Sequence, residues 1–105
     1  MRIPILLAAT LLAGTAVSAV RAQDATRLQT RALAATCANC HGTDGRTTTG
    51  SAVPALAGMQ HEYMLTQFKA FRDGSPPATV MHQISKGFTE QQLETLARYF
   101  EMQHR

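Results

Sequence analysis

The chain has 105 residues, 45% of them hydrophobic, with ten Lys and Arg against seven Asp and Glu for a formal net charge of +3. This length holds one domain and not two with separate cores. No basic stripe interleaved with aromatic residues runs through it, which excludes a nucleic-acid surface, and no paired carboxylates or nucleophile-base set marks it as an enzyme by itself.

The first element is a targeting segment. Met1 and Arg2 give a positive start, residues 3–20 carry no charge, and the small residues Ser18, Ala19 and Ala22 follow. This layout predicts a secretory signal peptide over 1–22, leaving Gln23 as the first residue of a folded domain over 23–105; a cut after Ala19 is the second choice. A retained membrane anchor is the competing reading, but the apolar drive is diluted by Ala, Thr, Gly and Ser. Removal of Arg2 and Arg21 leaves eight basic residues against seven acidic, so most of the apparent basicity belongs to targeting. The remaining 83 residues contain no tryptophan and few aromatics. A domain this small needs a staple to offset its ordering entropy.

A helix is expected over 24–36, with Arg27 and Arg31 on its solvated side. It leads into TCANCHGTDG, which holds the only two cysteines, Cys37 and Cys40, with His41 directly after. Four chemistries compete for this cluster. A disulfide would suit an exported protein but closes too small a loop to stabilise much. A thiol redox site normally follows a strand and opens a helix, whereas here a helix precedes it. A zinc site would need His61 or His82 to complete the ligand set, and two thiolates with an adjacent imidazole are hard to aim at one tetrahedral ion. Covalent haem attachment uses every residue: C-x-x-C-H places two sulfurs a helical turn apart to add to the two vinyl groups, and His41 falls beneath the ring to bind iron through Nε2. The cofactor also supplies the missing apolar core and the staple.

The second helix is expected over 60–73, with Met64, Phe68 and Phe71 on one face and Leu65 extending it; Gly74 ends it and Ser75, Pro76 and Pro77 form a stiff break. Met64 reads as core, and Met59 as packing at the helix entrance. The third helix is expected over 89–103, opened by a Thr89–Gln92 capping box and buried through Leu93, Leu96, Ala97 and Phe100. Met102 and His104 at its end read as exposed. The loop 74–88 between these helices carries Met81 and His82 as candidates for the iron's other face. Met81 is the better choice, since a thioether opposite imidazole suits an electron-transfer iron; His82 otherwise reads as a rim residue.

With these pieces in order (TCANCHGTDG, VPALAG, EYMLTQFKAFRDG, PATVM and KGFTEQQLETLARYF) the sequence resembles the class I c-type cytochromes. Within them it is most similar to a bacterial group that includes c4-type cytochromes and the haem subunit of flavocytochrome c sulfide dehydrogenase. The resemblance implies an all-α fold of three to four helices around one covalently attached haem c, and the signal-peptide layout predicts export to the periplasm. It carries the distal ligand onto Met81 and implies that the Pro54 carbonyl orients His41 through Nδ1. It also implies that Tyr63 and Gln67 could face the haem propionates, with core packing the alternative for Tyr63.

The function expected is single-electron transfer by one haem with His41 and Met81 as axial ligands, exchanging electrons with redox protein partners and needing no membrane after signal cleavage. The alternatives are the haem subunit of a flavin-dependent sulfide dehydrogenase, which TVMHQISKGFT favours, and a gas-binding or peroxidase-like cytochrome with a labile sixth position.

Overall fold

The computed structural model describes residues 4–105, with side chains from residue 16 onward. Among the described residues there are five α-helices and no strand, so the all-α expectation holds. Three helices are long: α1 (Pro4–Ala35), α3 (His61–Asp73) and α5 (Glu90–Glu101). Two are single turns, α2 (Ala38–His41) and α4 (Met81–Lys86), and a 3-10 turn covers Thr43–Gly45.

Helix α1 runs unbroken through the expected signal cleavage point, beginning well before residue 24. No proline or glycine pair interrupts it near Gln23, and Ala and Leu on either side are strong helix formers. Among the described side chains of α1, those from Ala16 to Gln29 are exposed, and Thr30, Leu33 and Ala34 are partly or fully buried. Those that pack therefore lie at its C-terminal end.

Helix α3 starts one residue later than expected, with Gln60 as N-cap. Gly74 closes it in the left-handed conformation (φ 74°), its N–H returning to the carbonyls of Ala70 and Phe71. Helix α5 opens with the full capping box: Thr89 Oγ1 accepts from the Gln92 N–H and Gln92 Oε1 accepts from the Thr89 N–H. Leu93, Leu96, Ala97 and Phe100 then face inward, spaced as one helical stripe.

The core joins Ala34 of α1, Met64 and Phe68 of α3, and the four inward residues of α5; Leu96, Ala97 and Phe100 are wholly inaccessible to water. Helix α1 packs on α5, and α3 packs on both α5 and α4. Among the described residues two of these seven core positions are alanines, so the apolar volume they enclose is small. Half-buried Leu33, Leu56, Met59, Leu65, Met81, Phe88 and Tyr99 pack around it.

One expectation fails in the loop 74–88, where residues 81–86 are helical. Six residues are too few to show a helical period in sequence, and no side chain caps their start. Contact with α3 makes the turn, a tertiary effect that local propensity does not carry.

Candidate functional site

Cys37, Cys40 and His41 lie on one tight turn. The His41 N–H donates to the Cys37 carbonyl at 3.0 Å and the Gly42 N–H to the Ala38 carbonyl at 2.9 Å. The two cysteines are not joined to each other, and Cys37 is half-buried and Cys40 exposed. Burial pushes the Cys37 thiol above its ordinary value, only partly offset by the Thr36 hydroxyl 3.9 Å from the sulfur. A redox dithiol works through a lowered thiol pKa, so this environment runs against that reading.

His41 is buried, and its Nδ1 lies 2.6 Å from the carbonyl oxygen of Pro54. With Nδ1–H donating there, the ring is fixed in one tautomer and Nε2 keeps its lone pair. The Pro54 contact implied by the family resemblance is thus present in this chain.

Gly42 makes the bend that lets the chain leave His41. Its φ of 79° and ψ of 162° fall in a region essentially reserved for glycine. Asp44 follows at φ 53°, tolerated because a short polar side chain can bond locally. Its carboxylate accepts from the Tyr99 hydroxyl at 2.5 Å and pairs with Arg46 at 3.3 Å, while Arg46 Nε donates to the His104 carbonyl at 2.8 Å. The attachment loop is thereby tied to α5 and the residues after it. Arg31, expected to be simply solvated, is exposed but lies near enough to add its charge to this Tyr99–Asp44 group.

The Tyr99 hydrogen bond is the largest influence and holds the Asp44 carboxyl below the usual range; desolvation, the next largest, raises it, and the charge and hydrogen bond of Arg46 help to outweigh that. Glu94 is also lowered: desolvation is its largest single influence and raises it, but hydrogen bonds and charge from His61 and Arg98 together outweigh that. Groups lowered on folding add stability that is complete above about pH 5 and is lost as pH falls through their folded values. Asp44→Asn should therefore lower the urea midpoint by a constant amount above about pH 5, a deficit that closes below about pH 4. A deficit that persists unchanged at the lowest pH would refute this account.

The other candidate residues separate clearly. Met64 is 2% exposed and belongs to the core, whereas Met102 is 71% exposed, and His104 is exposed too. His61 sits between carboxylates, Nδ1 3.0 Å from Glu62 and Nε2 3.0 Å from Glu94. His82 Nε2 lies 2.6 Å from the Pro76 carbonyl, and its ring is 6.0 Å from that of Phe71. Neither histidine is brought to the cysteines, and among the described residues no three His, Cys, Asp or Glu side chains converge as a metal site, so the zinc set is not assembled. Met81, the first residue of α4, is half-buried and packs against the core.

Tyr63 is 53% exposed, which removes the core-packing alternative. With Ala55, Ala57, Met59, Gln60 and Arg105 it lines a cleft of about 520 Å³ beside the Pro54 segment. Gln67, one turn along α3, is half-buried and does not line it.

Two cysteine sulfurs one turn apart, an imidazole already oriented by its far nitrogen, and a small apolar core among the described residues fit a c-type haem. The family model described as Cytochrome c matches residues 27–102, and the chain belongs to this family. It binds haem c covalently, Cys37 and Cys40 fitting the attachment motif, and its class of work is electron transfer.

Among curated proteins, it is 40% identical over 68 residues to the cytochrome subunit of sulfide dehydrogenase of Chlorobaculum tepidum, covering 65% of this chain and 60% of that one. It is 34% identical over 73 residues to cytochrome c4 of Pseudomonas aeruginosa, covering 70% of this chain and 36% of that protein. The match to cytochrome c-554(548) of Halomonas halodenitrificans is also 34%, over 65% of this chain and 84% of the relative. Against the first two the chain spans 60% and 36% of the relative's length.

Proposed function

We propose that this protein is a periplasmic monohaem cytochrome that carries single electrons, with His41 and Met81 as axial ligands and no catalytic centre of its own. The observation that carries the reading is the 2.6 Å contact between His41 Nδ1 and the Pro54 carbonyl. It leaves Nε2 as the coordinating atom, beside two cysteines at the attachment spacing. The haem supplies a one-electron couple when bound. The chain supplies the rest: His41 is held in one orientation, a thioether is available from α4, and Leu33, Leu56 and Phe88 add apolar surface next to the core. Residues 1–22 act as a signal peptide, and 23–105 form the mature domain. Among the described residues no helix is long and apolar enough to cross a membrane.

The choice of Met81 over His82 is supported by the contact that occupies His82, whose Nε2 is directed to Pro76. In the matured protein, Met81→Ala should abolish the sulfur-to-iron charge-transfer band of the ferric form and lower the potential. It should also let the reduced form bind carbon monoxide almost completely where the parent barely binds it. A parent that binds carbon monoxide readily at neutral pH would favour the gas-binding or peroxidase-like reading instead. Intact mass after periplasmic maturation tests the single haem and the cleavage after Ala22 together.

A second reading is favoured by the match to the sulfide dehydrogenase cytochrome subunit. The chain would then be the haem subunit of such an enzyme, taking electrons from a flavoprotein that holds the catalytic site. Stable co-purification with a flavin-containing partner supports it; a monomeric haem protein supports the free carrier.

A further inference from the structure

We propose that Arg72 is a positioning residue for the sixth haem ligand, pinning the single-turn helix α4 so that Met81 stays over the cofactor. The inference rests on the reading of Met81 as that ligand.

Helix α4 has little to hold it in place by itself. It has six residues and no side-chain cap at its start, and a helix of this length is unstable alone. Its last carbonyls have no partner within the helix. Arg72, half-buried in the last turn of α3, meets this need from across the packing interface. Its Nε–H donates to the Ser85 carbonyl at 2.9 Å. Its Nη2 donates to the Phe88 carbonyl, and its Nη1 pairs with the carboxylate of Glu90 in the first turn of α5. One planar guanidinium thus joins α3, the end of α4, the link after it and the start of α5. Lysine, with a single compact ammonium, cannot reproduce that fork.

The attachment point is deep. Ser85 is 0% exposed and its hydroxyl has no hydrogen-bond partner, so this turn lies where an unmet carbonyl would be costly. Among the described residues no other side chain donates to a carbonyl between residues 85 and 88. At the opposite end, His82 is held by the Pro76 carbonyl and Phe71. Met81 is four residues before Ser85, on the same face of α4. Its placement therefore depends on the Arg72 anchor one turn away.

The test uses the haem-loaded protein. The charge-transfer band of the ferric form is followed against pH, and carbon monoxide uptake is measured on the reduced form. Arg72→Gln should move loss of the band down by about one pH unit, a roughly tenfold shift toward the detached form, and raise carbon monoxide uptake in the same proportion. Arg72→Lys and Glu90→Gln should shift both in the same direction by less, and they carry the comparison if Arg72→Gln does not mature. Phe100→Leu, which weakens the core away from α4, should leave both readouts near the parent at equal loss of urea midpoint. The inference is overturned if the Arg72 variants match the parent, or if Phe100→Leu loosens the ligand as much. A parent that lacks the band overturns the Met81 reading itself, and the inference with it.

Discussion

Replacing Cys37 and Cys40 together by serine is expected to yield a colourless chain with no covalent haem mass and little helical circular dichroism. The cost should reach the whole folding stability, on the order of 5 kcal/mol or more. The reason lies in the core. Among the described residues seven, two of them alanine, form the buried apolar cluster, and a chain of this size offsets its ordering entropy only with an added staple. The two sulfurs fix a large apolar plate to the turn after α1, so their loss removes the plate and the cross-link at once. Single substitutions should differ. Cys37 is half-buried against the core and Cys40 is exposed, so Cys37→Ser should destabilise more than Cys40→Ser. A double variant that folds and melts cooperatively without haem would contradict the argument.

The second large effect is expected at Gly42. An added Cβ would stand 1.9 Å from the Arg46 carbonyl oxygen and 2.6 Å from its carbon, both backbone atoms that cannot swing aside. The conformation itself costs a side-chain-bearing residue about 1–3 kcal/mol before any clash. Gly42→Ala should therefore destabilise by about 4 kcal/mol or more, since overpacking adds to the strain. Because its N–H and carbonyl join α2 to the 3-10 turn, relief by movement would also displace His41. Gly50 is the control: its φ is 81°, yet nothing lies within 4 Å of an added Cβ, so Gly50→Ala should cost only about 1 kcal/mol. Urea melts of the matured proteins measure both, and equal losses would mean that the Arg46 contact contributes nothing.

The parts of this protein that sequence predicts are those whose signals are local. Thr89 and Gln92 lie three residues apart and announce their own capping box, Gly74 marks the end of α3, and Leu93 to Phe100 repeat at the helical period. The attachment turn is legible because its chemistry dictates its spacing. Elements made by distant partners are not. Helix α4 exists because α3 holds it, and Arg72 looks in sequence like any cation in a helix's last turn. Asp44 and Tyr99 are 55 positions apart, and no local pattern joins them. Arg31 likewise reads as solvated until α5 brings Tyr99 beside it.

The pairing of α1 with α5 has a consequence for how the chain finds its fold. Helix α1 ends at Ala35 and α5 begins at Glu90, so their contact closes a loop of more than fifty residues. Chain statistics put that closure at about 3–4 kcal/mol of lost freedom before a single core contact is made. Bonds from residues 41 and 81 to one iron would divide that excursion into shorter arcs, making the metal a node of the topology as well as the seat of the electron.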